Sequence, residues 1–123
     1  MNDKIFDFYT GYEGENEIQF IRISPDGKKE IIRMWDGLFD DFMMKIRPEQ
    51  GGWTSLAYYY HLIEGWNDGS PWEILDIIGA LKQLEQLRNI ELRTEKSKAV
   101  YNEVCKLLDV AIRTNSRVYI ALE

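Results

Sequence analysis

An α+β domain is predicted for this chain, and three observations predict it: alternating segments near the N-terminus, a switch to helical spacing after residue 36, and a last apolar segment able to rejoin a sheet. Residues 4–9 (Lys-Ile-Phe-Asp-Phe-Tyr) and 17–24 (Glu-Ile-Gln-Phe-Ile-Arg-Ile-Ser) alternate apolar and polar as half-buried strands do, with a polar, glycine-bearing loop at 10–16 between them. Ser24-Pro25-Asp26-Gly27 has Pro and Gly where a tight turn needs them, and residues 29–35 return as a third strand. The expected result is an N-terminal antiparallel β-meander of about three strands. A C-terminal strand, Arg117-Val-Tyr-Ile-Ala-Leu, joins it, and the sheet packs against about four α-helices.

The helices follow from spacing and caps. Leu38, Phe39, Phe42, Met43 and Ile46 recur at helical intervals, with Asp36 placed to cap the first turn and Asp40, Asp41 and Lys45 left for the outside. Pro48 and Gly51-Gly52 end that helix. A second is expected over 54–64, with Trp53, Leu56, Ala57, Tyr60 and Ile63 on one stripe, Tyr58, Tyr59 and His61 off it, and Gly65 as the stop. Ser70, Pro71 and Glu73 read as a capping box opening a third helix, whose stripe is Ile74, Ile77, Ile78, Leu81, Leu84 and Leu87. A fourth, over 94–114, buries Val100, Val104, Leu107, Leu108 and Ala111 and exposes Lys96, Glu103, Lys106, Asp109 and Arg113. The 123 residues make one domain, with 45% hydrophobic and 13% aromatic content sufficient for a core.

Composition narrows the function classes. The apolar runs fall short of the roughly 20 residues a membrane span needs. The first residues carry acids where a signal peptide has bases, so a cytoplasmic location is expected. Cys105 is the one cysteine and lies on the apolar side of the fourth helix, where a small core residue is the expectation. Net charge is −6, distributed unevenly: fifteen acids against seven bases over residues 1–81, six against eight over 82–123. A field of that sign repels nucleic acid and draws in basic proteins, and moderate acidity also serves solubility.

No catalytic constellation stands out. Gly-rich phosphate loops, a Gly-x-Ser-x-Gly elbow and His-Glu-x-x-His are missing from the sequence. His61 is the only histidine and lies more than forty residues from Cys105, so a packing or hydrogen-bonding role is expected of it. Asp40 and Asp41 are neighbours on a helix, about 100° apart, and do not converge on one ligand. Glu13, Glu15 and Glu17 lack the spacing of a calcium loop. The expectation is therefore a non-enzyme with no catalytic residues, cofactor or metal.

What remains is the middle of the chain. From Pro48 through Leu81 there is no Lys or Arg, while Glu49, Glu64, Asp68, Glu73 and Asp76 supply five negative charges. This stretch holds three of the four tryptophans and the Tyr58-Tyr59-Tyr60 run, and Tyr and Trp dominate binding hot spots. The phrase Trp53-x4-Tyr-Tyr-x-His-Leu-x-Glu-Gly-Trp-x-Asp-x-Ser-Pro-Trp-Glu73 resembles a segment of small bacterial immunity proteins of contact-dependent growth inhibition and related polymorphic toxin systems. That resemblance covers about a sixth of the chain and implies an inhibitor of one cognate toxin C-terminal domain, often a nuclease, while charge and apolar run length argue for no nucleic acid or membrane partner. Its Trp, Gly and Pro positions define scaffold and transfer no toxin contact. From residue chemistry, Asp40, Asp41, Glu64 and Asp68 are the expected charged contacts and Tyr59 the anchor. Two other classes stay open: a non-catalytic regulator or adaptor, including a nucleic-acid mimic, and a small enzyme with an aromatic pocket around His61.

Overall fold

A computed structural model of the protein describes residues 4–46, 72–88, 92 and 94–122. Among them are the strands β1 (Lys4–Phe8), β2 (Glu17–Ile23) and β3 (Lys29–Trp35), the helix α1 (Asp36–Met43), the two-residue strand β4 (Trp72–Glu73), the helices α2 (Ile77–Glu85) and α3 (Glu95–Thr114), and the strand β5 (Arg117–Leu122). The architecture is α+β, as expected. The strands form one mixed sheet in the order β1-β3-β2-β5-β4.

The meander is corrected at its first strand. β2 and β3 pair antiparallel, with Phe20 opposite Ile32, but β1 lies on the far side of β3 and runs parallel to it, with Phe6 opposite Ile32. Physical sense supports that order. β3 buries Ile32 and Met34 completely, which suits a strand flanked on both sides, whereas Lys4 and Asp7 suit an edge. The connecting loop is long enough to step past β3. It is folded by its own bonds, Tyr12 N–H to Tyr9 O at 3.0 Å and the Tyr9 hydroxyl to Glu15 O at 2.6 Å, and it needs glycine at positive φ at Gly11 and Gly14 (104° and 95°). Tyr12 then stacks on Trp35 at 4.6 Å, with the Lys96 ammonium of α3 over its ring at 4.8 Å.

The turn between β2 and β3 forms as expected, with Gly27 at φ 89° and its N–H on Ser24 O. β5 pairs with β2, placing Ile120 opposite Phe20. Ile18, Phe20, Ile32, Met34, Val118 and Ile120 share the sheet face that meets the helices. α1 contributes Leu38, Phe39, Phe42 and Met43 to this core, and α3 contributes Val100, Tyr101, Val104, Leu107, Leu108 and Ala111. Each helix shows its apolar side at the 3.6-residue period read from the sequence. α3 begins at Thr94, whose hydroxyl accepts the Ser97 N–H, and ends at Asn115 in the left-handed conformation.

Three local expectations are revised. Asp36 makes no cap for α1, because Trp35 occupies the cap position with no side-chain bond. Asp41 was expected outside but is buried, with Lys45 reaching its carboxylate at 2.9 Å. The third correction concerns the capping box: Glu73 is in β4, paired with Tyr119 of β5, and the Ile74 N–H continues the pairing to Val118 O at 2.8 Å. α2 instead opens at Asp76, whose carboxylate accepts the Gly79 N–H at 2.9 Å. A sheet edge that satisfies three successive residues outweighs one local cap. The later start turns the helix, so Ala80, Gln83 and Leu84 are buried while Ile78 is 55% exposed. The helix expected over 54–64 lies outside the described residues.

Candidate functional site

Of the five residues assigned from sequence to partner contact, Tyr59, Glu64 and Asp68 lie outside the described residues, as does His61. The other two sit on α1 and part company there. Asp40 is exposed to solvent, while Asp41, one helix position later, turns inward and meets Lys45 four residues on. Asp40 is thus the accessible charge of that pair.

A second cluster, which the sequence reading passed over, lies on the sheet face opposite the helices. Arg33 makes a two-pronged contact with Glu17, at 2.7 and 3.2 Å, approaches Asp7 at 3.7 Å and lies 5.5 Å from the centre of the Tyr9 ring. The Arg33 bonds hold the Glu17 carboxyl below its ordinary pKa, although its partial burial acts the other way. Asp7 is pulled down to about 2, chiefly by the Thr10 hydroxyl and then by the backbone N–H groups of Tyr9 and Thr10. Register shows why this is architecture: Asp7 faces Arg33 across β1–β3, and Gln19 faces Arg33 across β3–β2. Arg33 is committed to these two carboxylates, and Asp7 is held further by Thr10 and the backbone N–H groups beside it. Glu17, one of three loop acids weighed above for a cation, is among them, and no group of three potential metal ligands occurs among the described residues.

Cys105 is half-buried against the core, and burial pushes its thiol up to about 11, so it is a thiol and a poor nucleophile at neutral pH. Its neighbour Tyr101 donates its hydroxyl to Leu84 O and joins α3 to the end of α2. A cleft of about 410 Å³ beside β1 and α3 carries three bases, Lys4, Lys106 and Arg113, and three acids, Glu30, Glu103 and Asp109. Lys106 pairs with Glu103, Arg113 with Asp109, and Glu30 with Arg22, while the Lys4 ammonium lies over the Phe6 ring, so most of the cleft's charge is internally paired.

The corner where β4 passes into α2 is different. Leu75 is 85% exposed and Ile78 55%, the largest apolar exposures that any neighbouring pair of described residues shows. Between them Asp76 faces outward as the helix cap, and the three residues belong to the base-free stretch that runs to Leu81. Across a cavity of about 250 Å³ they face the last turn of α3, at Ile112 and Asn115. Two exposed aliphatic side chains beside an acid make this corner a small patch of mixed apolar and negative character. A sequence signal for this patch existed in the acidic stretch, but the helix start assumed there turned Ile78 inward.

No family model, curated protein or solved structure matches the chain. No helix among the described residues is long and apolar enough to cross a membrane.

Proposed function

We propose that this protein is an immunity protein, one that binds and neutralises a cognate toxin domain, with a nuclease bearing a basic active-site cleft as the target. The observation that carries the reading is the segregation of charge: 34 consecutive residues, 48–81, with five acids and no Lys or Arg, in a chain whose net charge is −6. A nuclease grips phosphates with Lys and Arg, so a folded acidic surface fits its cleft, gains association rate from steering and gains residence time from apolar and aromatic anchors. The exposed Leu75 and Ile78 support this reading because they add apolar anchors within that stretch, and the accessible Asp40 adds a charge just before it. Glu64, Asp68 and Tyr59 complete the proposed contact set.

The test first identifies a candidate toxin domain from the gene next to this one, then uses cells that produce it with the present chain at limiting expression. A combined Glu64→Gln and Asp68→Asn variant is expected to protect at least tenfold fewer cells than wild type while retaining its circular dichroism spectrum, as loss of steering and of two charge contacts implies. Equal protection by the variant would remove these acids from the interface.

A further inference from the structure

The sheet ends at β1, and among the described residues no strand lies on the other side of it. An open edge presents backbone N–H and C=O groups that a further strand would pair. The usual protections of such an edge are weak here. β1 reads Lys-Ile-Phe-Asp-Phe, with no Pro or Gly to interrupt pairing. Its two charges are turned aside: the Lys4 ammonium lies 5.0 Å from the centre of the Phe6 ring, and the Asp7 carboxylate takes the Thr10 hydroxyl and the N–H groups of Tyr9 and Thr10. Between them Ile5 stands 57% exposed. The helix side of the same edge is the cleft of about 410 Å³, lined from α3 by side chains between Glu103 and Arg113 and from the sheet by Lys4 and Phe6. An added strand would therefore find backbone at the edge, the cleft on one face and Ile5 on the other.

Charge selects the occupant. Along α3 the charged side chains that line the cleft are Glu103, Lys106, Asp109 and Arg113, so the sign alternates and the series read backwards is its own complement. A two-fold axis normal to the sheet at the β1 edge sets two copies of this series antiparallel. Glu103 is then placed toward Arg113 of the partner subunit, and Lys106 toward Asp109 of the partner subunit. The same axis pairs β1 antiparallel with itself and keeps both helix layers on one face. Only a register centred on Phe6 pairs all five residues: Phe6 faces Phe6 of the partner subunit, Ile5 faces the partner's Asp7, and Lys4 faces the partner's Phe8. We propose that two copies of this chain join through β1, merging their five-stranded sheets into one, with the α3 charges exchanging partners across the axis. Their present pairs, Lys106 with Glu103 and Arg113 with Asp109, are largely exposed and separate at little cost. Bases and acids are equal in number around the cleft, so the net charge of −6 is not concentrated there. β4 lies at the opposite edge of the sheet, away from this contact, so the pairing is independent of the proposed function.

Sedimentation velocity across a concentration series is the test, with circular dichroism confirming that each variant is folded. Wild type is expected to pass from monomer to dimer as its concentration rises. Ile5→Glu sets an acid opposite the partner's Asp7 in both halves of the ladder and is expected to weaken the dimer about tenfold. Ile5→Lys sets a base there and is expected to leave the dimer at least as tight. Lys106→Glu and Asp109→Lys, both at exposed positions, each set like charges face to face and are expected to weaken it by a similar factor. An equal mixture of those two variants is expected to dimerise as wild type does, because the acid introduced at 106 in one chain meets the base introduced at 109 in the other. A monomer at every concentration up to the solubility limit would overturn the proposal. So would equal weakening by Ile5→Glu and Ile5→Lys, or a mixture that associates no more tightly than its separate components.

Discussion

Phe42→Ala is expected to lower the unfolding free energy by about 3–5 kcal/mol, the range for deleting a fully buried aromatic ring. Phe42 has no solvent exposure, and its ring lies 5.5 Å edge-on from Phe39 and 6.2 Å from Tyr101. Through Tyr101 it connects α1 to α3, and the Tyr101 hydroxyl ties that helix to Leu84 at the end of α2. Truncation therefore leaves a void where helices meet, which backbone held by β3 on one side cannot collapse to fill. Against a typical total of about 5–15 kcal/mol, such a loss removes a large share of stability. Urea unfolding followed by tryptophan fluorescence checks it: the midpoint is expected to fall by about 2 M, for an m-value of about 1–3 kcal/mol per M. Phe42→Leu, which retains most of the volume, is expected to cost less than half as much.

Arg33→Met is the second large effect, about 2 kcal/mol, because it removes the two-pronged bond to Glu17 and leaves that carboxylate partly buried without its partner. The value sits below that of a fully buried pair since Arg33 is one-third exposed. Acid titration separates the contributions. Glu17 and Asp7 both have pKa values depressed by folding, so the unfolded chain binds their protons first as pH falls. Their stabilisation is complete above the ordinary carboxylate values of 4.5 and 3.8 and is lost as pH drops toward 2. In Arg33→Met the largest cause of the low Glu17 pKa is removed while the Gln19 amide bond to Glu17 remains, so stability is expected to vary less between pH 5 and 3. The Asp7 part persists, because the Thr10 hydroxyl and two backbone N–H groups are its main cause. Unchanged acid sensitivity in the variant would show that Arg33 does not hold Glu17.

Much of this architecture was legible in the chain. Period-two alternation located β1, β2, β3 and β5, and the stripe of Val100, Val104, Leu107, Leu108 and Ala111 located α3 with its buried face. Pairing was less legible, because alternation states that a strand has two faces and is silent on which neighbour it takes. The parallel placement of β1 depends on the loop after it and on the greater burial of β3. The start of α2 was misread for a related reason. Ser70-Pro71-Trp72-Glu73 satisfies a capping box locally, yet β5, more than forty residues later, offers Trp72 and Glu73 a ladder. Asp76, the actual cap, stands four residues before Ala80 and lacks a Glu or Gln partner three residues on, so it carries a weaker signal.

The candidate site divides in the same way. Acidity and the missing bases could be counted from residues alone. That Asp40 faces water while Asp41 is enclosed with Lys45 follows from the angle at which α1 meets the core, which the apolar spacing fixes only to within a residue. Ile78 belongs to the apolar stripe the sequence predicts for that helix, whereas Leu75 stands off it. Their exposure is a consequence of β4, since the extended segment carries Ile74 inward and leaves Leu75 at the bend.

If the acidic stretch captures a basic partner as proposed, its association rate must depend on salt. Stopped-flow mixing of the protein with the cognate toxin domain that the proposed function requires, over a series of salt concentrations, is expected to show a rate near 10⁸ M⁻¹s⁻¹ at low salt that falls about tenfold or more as screening increases. A one-to-one complex that loses toxin activity is the accompanying result. An association rate indifferent to salt, or no complex at all, would contradict the account.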